Sequence, residues 1–339
     1  MKSIASAPGK IILFGEHFVV HGTKAILAAI DKRVTVTSTF TENKTVKVNS
    51  QLGTLEMPVS FSCEEANSEF RPFVYLANKM INSNQNVNGV EITIDSDIPI
   101  GVGLGSSSAC CVAAAASISG LFKELSSEEI LKISIEAEKT IFPDTSGADC
   151  TVCTYGGMIV YDKIKGIEKI GNIFDLNLII ANSMIPHITK NSVEKVRKFK
   201  ENNEERFSKL CAYETRIIAD VIRVMEDEDE EDYNIIIGEK MVSNQMLLKE
   251  IQVSNDTLDG MIRSLTLAPD PDEDWYIDGA KITGAGDGGC VIALVGLDIA
   301  MEYKETEENL RRVRAVLGKD KECFSAKIDT EGVVWKIEK

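Results

Sequence analysis

The residues of this 339-residue chain best suited to chemistry lie between Asp97 and Cys111, which read DIPIGVGLGSSSACC. Gly101, Gly103 and Gly105 free the backbone for a tight path, Pro99 ends the segment before them, and Ser106 is the expected N-cap of an alanine-rich helix. Free N–H groups at a helix start carry roughly half an elementary charge and bind phosphate, so nucleotide binding is the first reading and a plain turn before a buried helix the second. Two common phosphate loops fail by spacing. A Walker loop needs Gly-Lys-Ser/Thr, but Gly105 is followed by Ser106 and no lysine appears until Lys123. A dinucleotide fingerprint needs G-x-G-x-x-G in the first βαβ unit, and these glycines stand two apart a third of the way along the chain. A second glycine cluster, KITGAGDGGC, runs from Lys281 to Cys290.

Other reactive-looking residues are weaker signals. Cys150 and Cys153 form a C-x-x-C without a second pair at zinc spacing, which favours a core reading. Seven consecutive acids, Glu226 to Asp232, read as a solvated, self-repelling stretch rather than a metal site. The net charge of −16 argues against nucleic acid or an anionic membrane as partner. Eight cysteines, with no secretory leader before the first strand, point to a reducing cytoplasm. The longest apolar run, Ala109 to Phe122, falls short of the ~20 residues a membrane span needs. With 44% hydrophobic residues, the chain suits one large or two ordinary domains and has no evident repeat.

The elements that must position these residues follow from periodicity. Residues 3–13 predict a strand broken by a turn at Pro8 and Gly9, and Val34–Phe40 with Thr45–Val48 predict a strand pair. Phe70–Ile81 has helical spacing, and Val90, Ile92 and Ile94 alternate with polar residues as in a half-buried strand. Ser126 and Glu129 form a capping box for a helix reaching Thr140. The character changes near residue 165, after which helices dominate from Thr189 to Leu267 and strands return at 291–295, 326–328 and 333–337. The expected class is α+β, with domains 1–165 and 166–339.

Three segments together, SAPGKIILFGEHFVVHG, PIGVGLGSSSA and KITGAGDGGC, resemble the three signature motifs of the GHMP kinases. Within that superfamily, Lys10 with Glu16, His17 and VVHG is most similar to the mevalonate kinase branch, and SGADCTVCTYGG fits it as well. The resemblance implies an N-terminal domain like the second domain of ribosomal protein S5, a ferredoxin-like C-terminal domain, and an active site between them. The implied reaction moves the γ-phosphoryl group of ATP to the 5-hydroxyl of mevalonate with Mg²⁺ as cofactor. A kinase of the same fold acting on phosphomevalonate or on the 3-hydroxyl, and a non-catalytic ligand sensor, stay open, as does a homodimer.

Residue by residue, the resemblance implies that Asp149 and Lys10 are catalytic and that Ser107 and Glu138 bind the metal. Pro99, Gly101, Gly103, Leu104, Gly105, Ser106, Ser107 and Ser108, with Gly284 and Gly286, would hold ATP. Glu16, His17 and Thr189 would meet the acceptor, with His21 a weaker candidate and His187 left as structural. A carboxylate of ordinary pKa near 3.9 facing an alcohol near ~15.7 is mismatched by about 12 units, so early deprotonation is excluded. Asp149 is therefore expected to orient the hydroxyl and take its proton late. The chain departs from the family pattern at Asp287, where glycine is usual, at Phe142–Asp144, and at Cys150 in place of asparagine. A carboxylate beside triphosphate would repel it, so the Asp287 side chain is expected to point away or towards Mg²⁺.

Overall fold

The computed structural model describes residues 1–83, 88–170, 176–186, 189–227, 230–267, 275–297, 306–318 and 321–338. In chain order come β1 (Lys2–Phe14), β2 (Lys24–Thr41), β3 (Thr45–Ser50), β4 (Gly53–Pro58), α1 (Arg71–Asn82), β5 (Gly89–Ser96), α2 (Ser106–Gly120), α3 (Ser127–Glu138), α4 (Ala148–Tyr155), β6 (Met158–Asp162) and β7 (Gly166–Lys169). There follow β8 (Leu178–Asn182), α5 (Thr189–Asn202), α6 (Glu204–Glu226), α7 (Tyr233–Glu250), α8 (Asp256–Leu267), β9 (Trp275–Ile282), β10 (Cys290–Leu297), α9 (Thr306–Leu317), β11 (Cys323–Ala326) and β12 (Val334–Glu338). His187 and residues 228–229 of the acidic run lie outside the described residues.

The fold is α+β. One sheet runs β12-β1-β2-β5-β3-β4, with β6 on β2 and β7 on β6; the other runs β11-β8-β10-β9. Helices α1, α2 and α4 pack on the first sheet, with α3 against those three helices, and α7, α8 and α9 pack on the second. The alternation of β5 is borne out, since Val90, Ile92 and Ile94 are buried. The expected β2–β3 pair does not form, because β5 lies between them, antiparallel to β2 and parallel to β3. Alternation shows which face of a strand is buried and leaves its neighbour open. The turn expected at Pro8 and Gly9 is a register shift inside one continuous β1. The first sheet takes β1 to β7, with β7 paired to β6, and β12 returns to it to pair with β1 from Lys2↔Glu338 to Ser6↔Val334.

Helix α2 is the centre of the first unit. Its residues from Ser108 to Gly120 are all buried except Cys110, so it is enclosed all round as a core helix should be. Small residues let it approach the sheet closely: a Cβ on Gly120 would stand 2.5 Å from Ser3 Oγ. Ser117 Oγ donates to the Ser3 carbonyl at 2.9 Å across this tight contact, while Ser3 Oγ is buried there without a hydrogen-bond partner. The N-cap is Gly105 in the left-handed region and not Ser106, which is the first helical residue. The capping box of α3, Ser126 with Glu129, forms as expected.

Candidate active site

The central loop is moulded onto β1. Gly101, Gly103 and Gly105 have φ of 75°, 88° and 74°, conformations that side-chain-bearing residues adopt at a cost of about 1–2 kcal/mol. Lys10 N–H donates to Leu104 O at 2.9 Å, beside the register shift at Pro8/Gly9. The Lys10 stem lies across Gly105, where a Cβ would stand 2.6 Å from Cγ. Its Nζ is thereby delivered to one point, 3.3 Å from Gly103 O and 3.2 Å from Asp149 Oδ2. Asp149 sits in the first turn of α4, after Gly147 at φ 77°, and its side chain is 37% exposed, open to a ligand. Asp149 thus lies at the N-terminal end of α4 and beside the Lys10 ammonium.

Glu138, the last residue of α3, is buried and accepts from Ser108 Oγ and from Thr145 Oγ1 at 2.6 Å. The serine it holds is thus Ser108, which leaves Ser107 facing an adjoining cavity of about 300 Å³. That cavity is lined by Leu52, Pro72, Phe73, Ile100 and Ile141 beside Ser106 and Ser107.

The late glycine cluster forms a second loop against the first, with a Cβ on Gly284 falling 3.7 Å from Gly103 Cα and O. His17 Nε2 hydrogen-bonds Ala285 O at 2.9 Å, and burial lowers the imidazole's pKa. Thr283 Oγ1 donates to Ile12 O and accepts from Ile12 N–H, both at 3.0 Å, which ties the end of β9 to β1 across the two sheets. Gly286, with φ 72°, lies against Val253 O. Thr189 is exposed at the start of α5.

Residues 72–157 match the family described as GHMP kinases N terminal domain. The mevalonate kinase of Thermococcus sibiricus is 34% identical over 87% of this chain and 89% of its own length. That of Aeropyrum pernix is 30% identical over 97% and 96%. The chain belongs to the mevalonate kinase family. The crystal structure of the Methanococcus jannaschii mevalonate kinase superposes with a TM-score of 0.79 at 26% identity, covering 96% of this chain and 98% of that one.

Within this member of the family, Lys10, Asp149, Gly103 and Gly284 come together as the motifs imply. Glu16 does not join them at the surface. Expected beside the acceptor, it is 2% exposed and ion-paired with Lys281, which is wholly buried. Burial raises the Glu16 carboxyl pKa and Lys281 opposes that shift. Next to this pair lies Glu214 of α6, which accepts from Asn244 Nδ2 at 2.7 Å. Burial pushes Glu214 up to about 7. Glu16 Oε2, Glu214 Oε1 and Asn244 Oδ1 are buried without a hydrogen-bond partner. His21 stands off the site, edge-on to Phe207 at 4.8 Å and 3.4 Å from Lys200 Nζ.

Sequence reasoning missed Lys281, Thr145 and the apolar cavity. Lys281 had a signal: a lysine among the apolar positions of a buried strand must find a carboxylate. Thr145 had none. The cavity draws on β5, α1, α2 and the turn after α3, so no single motif holds it. Cys150 and Cys153 are both buried in α4, in keeping with the core reading.

Proposed function

We propose that this chain is an ATP-dependent mevalonate kinase that transfers the γ-phosphoryl group to the 5-hydroxyl of mevalonate. The observation that carries the reading is the Lys10 ammonium, held between the Asp149 carboxylate and the carbonyl of the glycine loop. Phosphoryl transfer asks the protein mainly for positioning and charge neutralisation. One donor of Lys10 holds Asp149, another holds the loop, and the third is left for the transferred phosphate. Asp149 is the exposed member of the pair, so it faces the acceptor hydroxyl, orients it and takes its proton as the bond to phosphorus forms.

The amides of Gly103 to Ser108 and of the first turn of α2 cradle the phosphates, with Gly284 and Gly286 closing from the other side. The apolar cavity beside Ser106 and Ser107 has the size and lining for the adenine ring. The donor set suits Mg²⁺: the Ser107 hydroxyl and the Glu138 carboxylate are hard oxygens, and the two hydroxyls on Glu138 leave it lone pairs for a cation. Bound there with the nucleotide, the ion would neutralise charge on the β- and γ-phosphates. His17 and Thr189 line the acceptor side, and Glu16 acts from behind by fixing Lys281.

Incubation with ATP, Mg²⁺ and, separately, mevalonate, phosphomevalonate, galactose and homoserine, followed by ³¹P NMR of the products, tests the reading. A new phosphomonoester on the 5-carbon of mevalonate is expected. Product from another acceptor alone, or no ADP with any, would overturn it.

A further inference from the structure

The late glycine loop is where the chain's unusual backbone gathers. The non-glycine residues with positive φ among the described residues are His17, Met184, Gln252 and Asp287, at 61°, 62°, 68° and 61°. Asp287 belongs to the loop and His17 bonds its Ala285. Met184 lies between Ser183 and Ile185, which exchange backbone hydrogen bonds with Gly289 at 2.9 and 3.0 Å. Gln252 precedes Val253, whose carbonyl accepts from Asp287 N–H at 2.8 Å. Such conformations persist only where the surroundings over-determine them, and here they surround one loop.

Asp287 itself turns away from the phosphate side. Its Oδ1 pairs with Lys195 Nζ at 2.6 Å and its Oδ2 accepts from Ser192 Oγ at 3.1 Å. Both partners are on α5, and Ser192 is wholly buried. Residues three apart are neighbours on a helix surface, so Thr189, Ser192 and Lys195 succeed one another along α5 at that spacing. On the N-terminal side of α5, residues 183–185 are already zipped to Gly289 through the backbone. The aspartate supplies side-chain holds on the helix itself, at a position the family pattern fills with glycine.

We propose that Asp287 is a positioning residue that latches α5 to the late glycine loop and so sets the acceptor side of the site. The proposal rests on the functional reading above, in which Thr189 meets the acceptor. It gives one aspartate two effects: its charge is neutralised by Lys195 and kept off the phosphates, and the first turns of α5 are held in register with the loop that closes on them.

The test uses the full chain with Asp287→Gly, which keeps positive φ without strain, with Lys195→Gln, and with both together. In the protein without substrates, amide hydrogen exchange over residues 190–196 is expected to speed up in each variant. With ATP and mevalonate, the KM for mevalonate is expected to rise about threefold to fivefold, the range of a partly exposed ion pair. Turnover and the KM for ATP should stay within about twofold, and the double variant should be no worse than Asp287→Gly alone. Unchanged exchange in α5, additive effects, or a fall in turnover at constant KM would overturn the latch. Absence of wild-type turnover with mevalonate would instead sink the functional reading, and the exchange measurement then decides the latch by itself.

Discussion

Glu214 and Asp149 are both carboxylates, and their surroundings give them different tasks. Asp149 is half-open to solvent, one salt-bridge length from Lys10, at the start of a helix. Removing its charge while keeping its shape takes away the group that orients and receives the proton. Asp149→Asn is therefore expected to lower turnover by about 10² to 10⁴, the usual range for a proton-transferring group, with ATP affinity little changed. Steady-state turnover with nucleotide affinity by calorimetry checks this. Glu214 has no exposure at all, and its pKa of about 7 against an ordinary 4.5 makes the folded state bind more protons than the unfolded chain between those values. Stability must then fall as pH rises from about 4.5 to 7, by about 3 kcal/mol for this group at 1.36 kcal/mol per unit. Glu214→Gln keeps the contact volume, adds a donor for the unpartnered oxygens of Glu16 or Asn244, and should flatten that slope. Urea unfolding at pH 5, 6, 7 and 8 reads the effect, and an unchanged slope would count against the assignment.

Among the elements, the glycine loop and α2 act as one piece because Gly105 is at once helix cap and support for the Lys10 stem. Gly105→Ala places a methyl carbon at φ 74° and 2.6 Å from Lys10 Cγ, so the lysine must leave its track. A loss of about tenfold or more in turnover is expected, together with about 1–2 kcal/mol of left-handed strain, measured by kinetics and thermal unfolding. Much at this scale was legible beforehand. The capping box of α3, the alternation of β5 and the phosphate loop are local patterns, written within a few consecutive residues. What was not legible depends on partners far along the chain. Nothing near Thr45 announces that β5 intervenes between β2 and β3. Nothing near Glu16 announces that Lys281, 265 positions away, neutralises it in the interior. Ser106 looked like the cap because propensity favours serine, and the loop's need for positive φ moved the cap to Gly105.

For the whole molecule, the site exists only where the two sheets meet, and Thr283 is a small part of that joint with large leverage. Its hydroxyl satisfies both backbone polar groups of Ile12, so Thr283→Val leaves a half-buried N–H and C=O unpaired and should cost about 1–3 kcal/mol, whereas Thr283→Ser should keep most of the stability. Denaturant midpoints of the two variants, with turnover measured alongside, separate loss of the hydrogen bonds from loss of the methyl group. The same sheets are sewn again near residue 329, where Arg33 pairs with Asp329 and donates to Gly332 O at 2.6 Å. Just beyond it, β12 completes the edge of β1. On a ribosome adding about 5–20 residues per second, the strand that covers Lys2 to Ser6 is made more than 300 residues after them, roughly a quarter of a minute to a minute later. For all that time the nascent chain carries an open sheet edge, the feature through which newly made proteins pair with the wrong partner, so the burden of folding this kinase safely falls on whatever shields its first few residues.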